Sequence, residues 1–198
     1  METQKLHFNR NLLLIMVVLY VLTIVIFAYP MLAAEPGLTE WWMIPVNLVI
    51  ISIPLVLLYG AIYVLVRGWH ERSTAGEVSP RLAKIIHWAP RVAAIMIIFF
   101  TSLFSLDVFG TGASPLEVVG AFLMHNIPSI IMIAFLVLAW KRPFVGFVVF
   151  SIAGVAFAIF FVRDFYALPN LLLFVFPILL IASLFYADWK WLNTPGLA

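Results

Sequence analysis

Six stretches of this chain carry no charged residue: 11–34, 41–66, 92–106, 118–140, 143–162 and 165–187. They are built mainly of Leu, Ile, Val, Phe and Ala. Five of them have at least 20 residues. At about 1.5 Å per residue, that length crosses the roughly 30 Å of bilayer hydrocarbon as a helix. Backbone groups in lipid must be satisfied within the segment or by closing a barrel, and the short alternating strands of a barrel are missing. The runs therefore predict an all-α integral membrane protein with six transmembrane helices. Composition agrees. Of 198 residues, 65% are hydrophobic and 10% charged, against roughly a quarter charged in soluble domains.

The few charges are unevenly placed. Lys5, Arg10, Arg67, Arg72, Arg81, Lys84, Arg91, Lys141, Arg142 and Lys190 all fall at one end of the predicted helices. Arg163 alone falls at the other, with Glu35, Glu40, Asp107, Glu117 and Asp164. The positive-inside rule then places both termini in the cytoplasm, with the chain as a multi-pass protein of the cell membrane. Run 11–34 is too long for a signal-peptide core and no good cleavage site precedes Glu35, so a retained anchor is expected. Trp41, Trp42, Trp69, Trp88, Trp140, Tyr166, Trp189 and Trp191 lie near the predicted boundaries, as an aromatic belt requires.

The chain divides into a two-helix hairpin (1–70), a cytoplasmic loop with an amphipathic segment (71–90) and a four-helix module (91–198). Ser79 is placed to cap a helix with Pro80 at its first position. That amphipathic segment either lies in the interface or continues into helix 3 through a kink at Pro90. Its basic face serves as a positive-inside anchor or attracts anionic lipid. Helix 3 looks short: Arg91 to Asp107 covers only about 24 Å. Asp107 is expected in the outer interface. Ser114-Pro115-Leu116-Glu117 reads as a capping box that starts helix 4.

Pro54, Pro128 and Pro177 each lie 13 residues before the first inner basic residue, Arg67, Lys141 or Lys190. Kinks are expected there, about 20 Å above the inner boundary. Either the chain is three helical hairpins of one design, or these are ordinary mid-membrane prolines. At Pro128 the Met124 carbonyl loses its helical donor, and His125, Asn126 and Ser129 are the polar groups nearby. His125, Ser129 and Met132 share a face expected to look into the bundle. Counted from the basic end, His125 and Asp107 share a depth. Counted from their connecting loop, they differ by about 12 Å. His125, Asn126, Asp107 and Ser129 are the candidate polar site. Its two readings are a protonatable group in a proton or solute path, and a histidine that bonds a neighbouring helix.

Catalytic and cofactor chemistry finds little support. There is no cysteine and no HExxH, GxSxG or P-loop pattern. Bis-His haem needs two intramembrane histidines, and His7, His70 and His87 belong to the basic end. Ser102, Ser105, Ser151 and Ser183 have no nucleophile-like context, and Ser151, Gly154 and Ala158 form a helix-packing stripe. An intramembrane enzyme is the third and weakest reading, and no cofactor, metal or nucleic-acid partner is expected. The bilayer itself is the first partner, and other membrane subunits or further copies of this chain are the next.

The stretches R-L-A-K-I-I-H-W-A-P-R, S-L-D-V-F-G, H-N-I-P and A-W-K-R-P-F-V-G lie between Ser79 and Trp189. On them the chain resembles an uncharacterised family of small prokaryotic polytopic membrane proteins. The resemblance implies a four-helix module with the first two helices as an addition, and it implies no activity. The expected function is a structural or accessory membrane subunit; the alternative is a small proton or solute carrier or channel with a polar outer-half cavity near His125.

Overall fold

In the computed structural model, residues 2–33, 42–109, 114–162 and 167–192 are described, without the side chains of 2–6, 31 and 167. Glu35, Glu40, Trp41, Gly110, Arg163, Asp164, Tyr166 and the Lys5 side chain, which entered the charge, belt and depth arguments, lie outside the described residues. Among those described, all regular structure is helical: α1 Glu2–Ala33, α2 Met43–Ala75, α3 Pro80–Leu103, α4 Pro115–Ala139 and α5 Pro143–Phe161. The sixth helix, α6, is composite. A short turn Ala167–Asn170 leads into a π segment Leu171–Val175 and then the body Phe176–Leu192. Six helices are long and apolar enough to cross a membrane. The chain is a multi-pass helical membrane protein.

The ends of the helices follow local chemistry. Gly76, at φ +79°, closes α2 by donating its amide to the Arg72 carbonyl at 2.9 Å. Only glycine adopts that left-handed geometry without penalty. Pro80, Pro115 and Pro143 each open a helix, where their missing N–H costs nothing. The box at α4 forms: the Ser114 amide reaches the Glu117 carboxylate at 2.9 Å, and the Glu117 amide reaches Ser114 Oγ at a long 3.5 Å. Ser79 stands at the N-cap of α3, but its side chain makes no capping bond. Its amide instead donates to Glu71 Oε2 at 3.1 Å, so the buried end of α2 holds the turn.

The three mid-helix prolines are housed differently. α2 and α4 continue as α-helix through Pro54 and Pro128. Before Pro177, α6 widens: the Phe176 amide reaches back five residues to the Leu171 carbonyl. A proline ring clashes with the carbonyl four residues earlier, and a wider turn relieves that clash.

α3 runs unbroken through Pro90 and is 24 residues long, about 36 Å. Its apparent shortness disappears because Arg91 is not a helix boundary. Arg91 is 2% exposed, inside the bundle.

α6 is central. α2, α3 and α5 pack against it, α4 packs on α3 and α5, and α1 rests on α2. The main core joins Ala94, Ile97 and Phe100 of α3 to Met132 and Leu136 of α4, Phe150 of α5, and Ile178, Ile181 and Phe185 of α6. In lipid such contacts stabilise through close packing more than through removal from water, so small residues matter. Gly146 meets the Phe185 ring, where a Cβ would sit 2.7 Å from Cγ, and Gly154 meets Leu179. The buried face of α5 is therefore Gly146, Phe150, Ala153 and Gly154. It shares only Gly154 with the stripe expected from sequence. A second cluster at the basic end packs Val78, Leu82, Ile86 and Ala187 with Val64 and Trp191, which turns the start of α3 inward.

Candidate functional site

Polar side chains gather in two layers with the apolar core between them. The first lies at the basic end. Arg91 Nη1 donates to Asp188 Oδ2 at 2.8 Å, and each of these side chains is only 3% exposed. Nη1 also bonds the His87 carbonyl one turn back on α3. Nε and Nη2 reach the Trp140 carbonyl at 3.3 and 2.9 Å. Trp140 follows the last residue of α4, where helix carbonyls lack backbone donors and a cation is favoured by the helix dipole. The guanidinium lies 5.7 Å from the centroid of the Phe185 ring, a cation–π distance. Asp188 Oδ1 takes a second bond from His87 Nδ1 at 3.2 Å. A single guanidinium thus joins α3, α4 and α6.

The neighbouring ties are of the same kind. Glu71 is 2% exposed and accepts from Arg67 Nε at 3.4 Å as well as from the Ser79 amide. Arg72 Nη1 donates to the Trp191 carbonyl at 3.3 Å, linking α2 to the end of α6.

Sequence reasoning missed this layer. In sequence, Arg91 and Asp188 each stop an uncharged run, which marks both positions as helix ends. They are 97 positions apart, and no local spacing connects them. The available signal was a sign mismatch: an acidic residue inside an otherwise basic boundary, opposite an arginine that made its own helix look too short.

The second layer holds the residues singled out from sequence, and the structure separates them. Ser129 is buried and pairs with Thr101 of α3 at 2.9 Å. Thr101 Oγ1 donates its proton to the Ile98 carbonyl at 3.0 Å, so Ser129 is the donor of the pair. Asn126 Nδ2 donates to the Phe122 carbonyl at 2.9 Å. His125 Nδ1 lies 2.8 Å from the Ala121 carbonyl. A carbonyl only accepts, so Nδ1 carries the proton. Both side chains turn back along α4 instead of reaching the Met124 carbonyl below Pro128. Asp107 stands apart, exposed, in a short 3₁₀ turn Phe104–Val108. Among the described residues it makes no hydrogen bond or ion pair with His125.

His125 instead lines a cavity of about 520 Å³ between α3, α4, α5 and the start of α6. Half of the described lining residues are phenylalanine: Phe104, Phe157, Phe160, Phe161 and Phe174. Thr101 and Asn170 are the other polar side chains among its described lining residues. Phe174 belongs to the π segment and stacks on Phe161 at 5.2 Å. No group of three or more His, Cys, Asp or Glu able to hold a metal occurs among the described residues.

These features define a polytopic helical membrane protein whose main core joins α3, α4, α5 and α6, with Leu57 of α2 packed into it. Residues 79–195 match the family described as "Domain of unknown function (DUF7670)", and the chain belongs to that family. The matched stretch begins at the turn before α3, so it contains Arg91, Asp188, His125 and the cavity. No curated protein and no solved structure matches the chain.

Proposed function

We propose that this protein is a structural or accessory subunit of the cell membrane, with both termini cytoplasmic, and that it binds other membrane subunits or further copies of itself through its helix faces. The observation that carries this reading is that most polar groups of the two layers are bonded within the protein and are separated by apolar packing. Asp188 is spent on Arg91 and His87, Thr101 is spent on Ile98 and Ser129, and Asn126 is turned onto its own helix. Between the layers stand Ile97, Met132, Leu136, Ile178 and Ile181, all buried and apolar. A carrier or channel needs a polar or hydrated route, and its ionisable groups lie along it. α1 supports the same reading, because it rests on α2 and leaves Leu14, Val18, Leu22 and Ile26 bare.

Size measurement and flux measurement together test this. Protein extracted with its native lipids into nanodiscs is expected to run larger than a monomer, at a fixed stoichiometry. Proteoliposomes of the purified chain are expected to show no proton flux above empty vesicles. A monomer that conducts protons, with flux lost in His125→Ala, would reject the subunit reading in favour of the carrier.

A further inference from the structure

We propose that the cavity beside His125 is a binding site for a neutral, membrane-dissolved amphiphile with a phenol-type head: an aromatic ring carrying a hydroxyl, on an apolar tail. Much of the hydrogen-bonding capacity of the wall is already engaged within the protein. Thr101 already donates to Ile98 and accepts from Ser129. Asn170 has an interaction of its own within the protein. His125 has its Nδ1 proton on the Ala121 carbonyl. With that edge of the ring turned onto α4, Nε2 is the ring nitrogen left for a ligand, and in the uncharged ring it is an acceptor. The site therefore asks for a donor.

The rest of the wall selects the body that carries this donor. Five phenylalanine rings line the cavity. Aromatic rings favour offset-stacked or edge-to-face neighbours, which an aromatic head supplies. Among the described residues no carboxylate lines it, since Asp107 is not part of the wall. An ammonium head would thus keep an unpaired charge at membrane depth, which is costly, whereas a hydroxyl carries none. About 520 Å³ lies within the usual range of small-molecule sites. Phe160 is 77% exposed at the rim, where a ligand arriving through the lipid would enter. The π segment, which accommodates Pro177, also shapes the wall. Wide turns of this kind occur often at functional sites, and this one holds Phe174 in the wall.

The test uses the full chain in lipid nanodiscs and a diazirine-bearing 4-alkylphenol as photoprobe, with labelled residues mapped by mass spectrometry. Saturable labelling is expected on 156–161 and on Phe174. Unlabelled 4-dodecylphenol is expected to compete at about tenfold lower mole fraction than dodecylbenzene, the equivalent of one hydrogen bond. His125→Phe keeps a ring and removes the acceptor, and should erase that difference. His125→Gln keeps an acceptor and should retain part of it. If neither variant folds, Ala156→Phe fills the cavity and should abolish saturable labelling. The proposal is overturned by labelling that does not saturate, or by equal competition from the two compounds. It is equally overturned if the preference persists in His125→Phe, if saturable labelling survives in Ala156→Phe, or if dodecyltrimethylammonium competes better than the phenol.

Discussion

The two polar layers use similar means to opposite ends. At the basic end, full charges are buried, and Arg91 and Asp188 are paired across helices. At the other end, uncharged groups are mostly turned onto their own helix, and a cavity is left open beside them. Arg91 spends donors on α3, α4 and α6 at once, so its loss would unfasten three helices. His125 spends its one fixed proton on α4 alone. The contrast is one between a fastening and a lining. A buried ion pair is a poor source of net stability, but breaking it leaves an uncompensated charge.

The sharpest way to break this comparison is Asp188→Ala, which strands Arg91. It should destabilise the protein by about 3–5 kcal/mol. Replacing the pair together, Arg91→Met with Asp188→Leu, should recover most of that loss. Reversible unfolding in mixed micelles measures both, and a double variant no better than the single one would contradict the pairing. Gly146→Leu comes next. It drives a side chain into Phe185, directly beneath the Arg91 guanidinium, and should cost about 1–3 kcal/mol as overpacking. The smallest effect belongs to the cavity end. A double-mutant cycle on Thr101→Val and Ser129→Ala should give a coupling of about 0.6 kcal/mol, typical of neutral interhelical bonds in membranes. A coupling above the cost of Asp188→Ala would reverse the ranking of the two layers.

The helices were legible in sequence because lipid imposes one rule on every spanning segment, and uncharged runs obey it. The capping box at Ser114 and Glu117 was legible because it is local. What escaped was pairing across the bundle. A charge was read as the place where the membrane stops, which holds only when that charge faces water. Arg91 faces Asp188, so α3 extends 11 residues before it, to Pro80. His125 was legible as an anomaly within an apolar run. Its surroundings were not, since the phenylalanines of the cavity come from the 3₁₀ turn after α3, from α5 and from α6, and single-sequence periodicity does not register one helix against another.

The π segment before Pro177 also sets the angular phase of everything that follows it. An α-helix advances about 100° per residue, so the extra residue held in Leu171–Val175 rotates the body of α6 by roughly that angle. Removing one residue there would straighten the helix and leave Phe174 near the cavity. It would also swing Asp188 about a quarter turn away from Arg91. The two ends of the molecule, one apolar and open, the other charged and closed, are thus geared together through five residues of widened backbone.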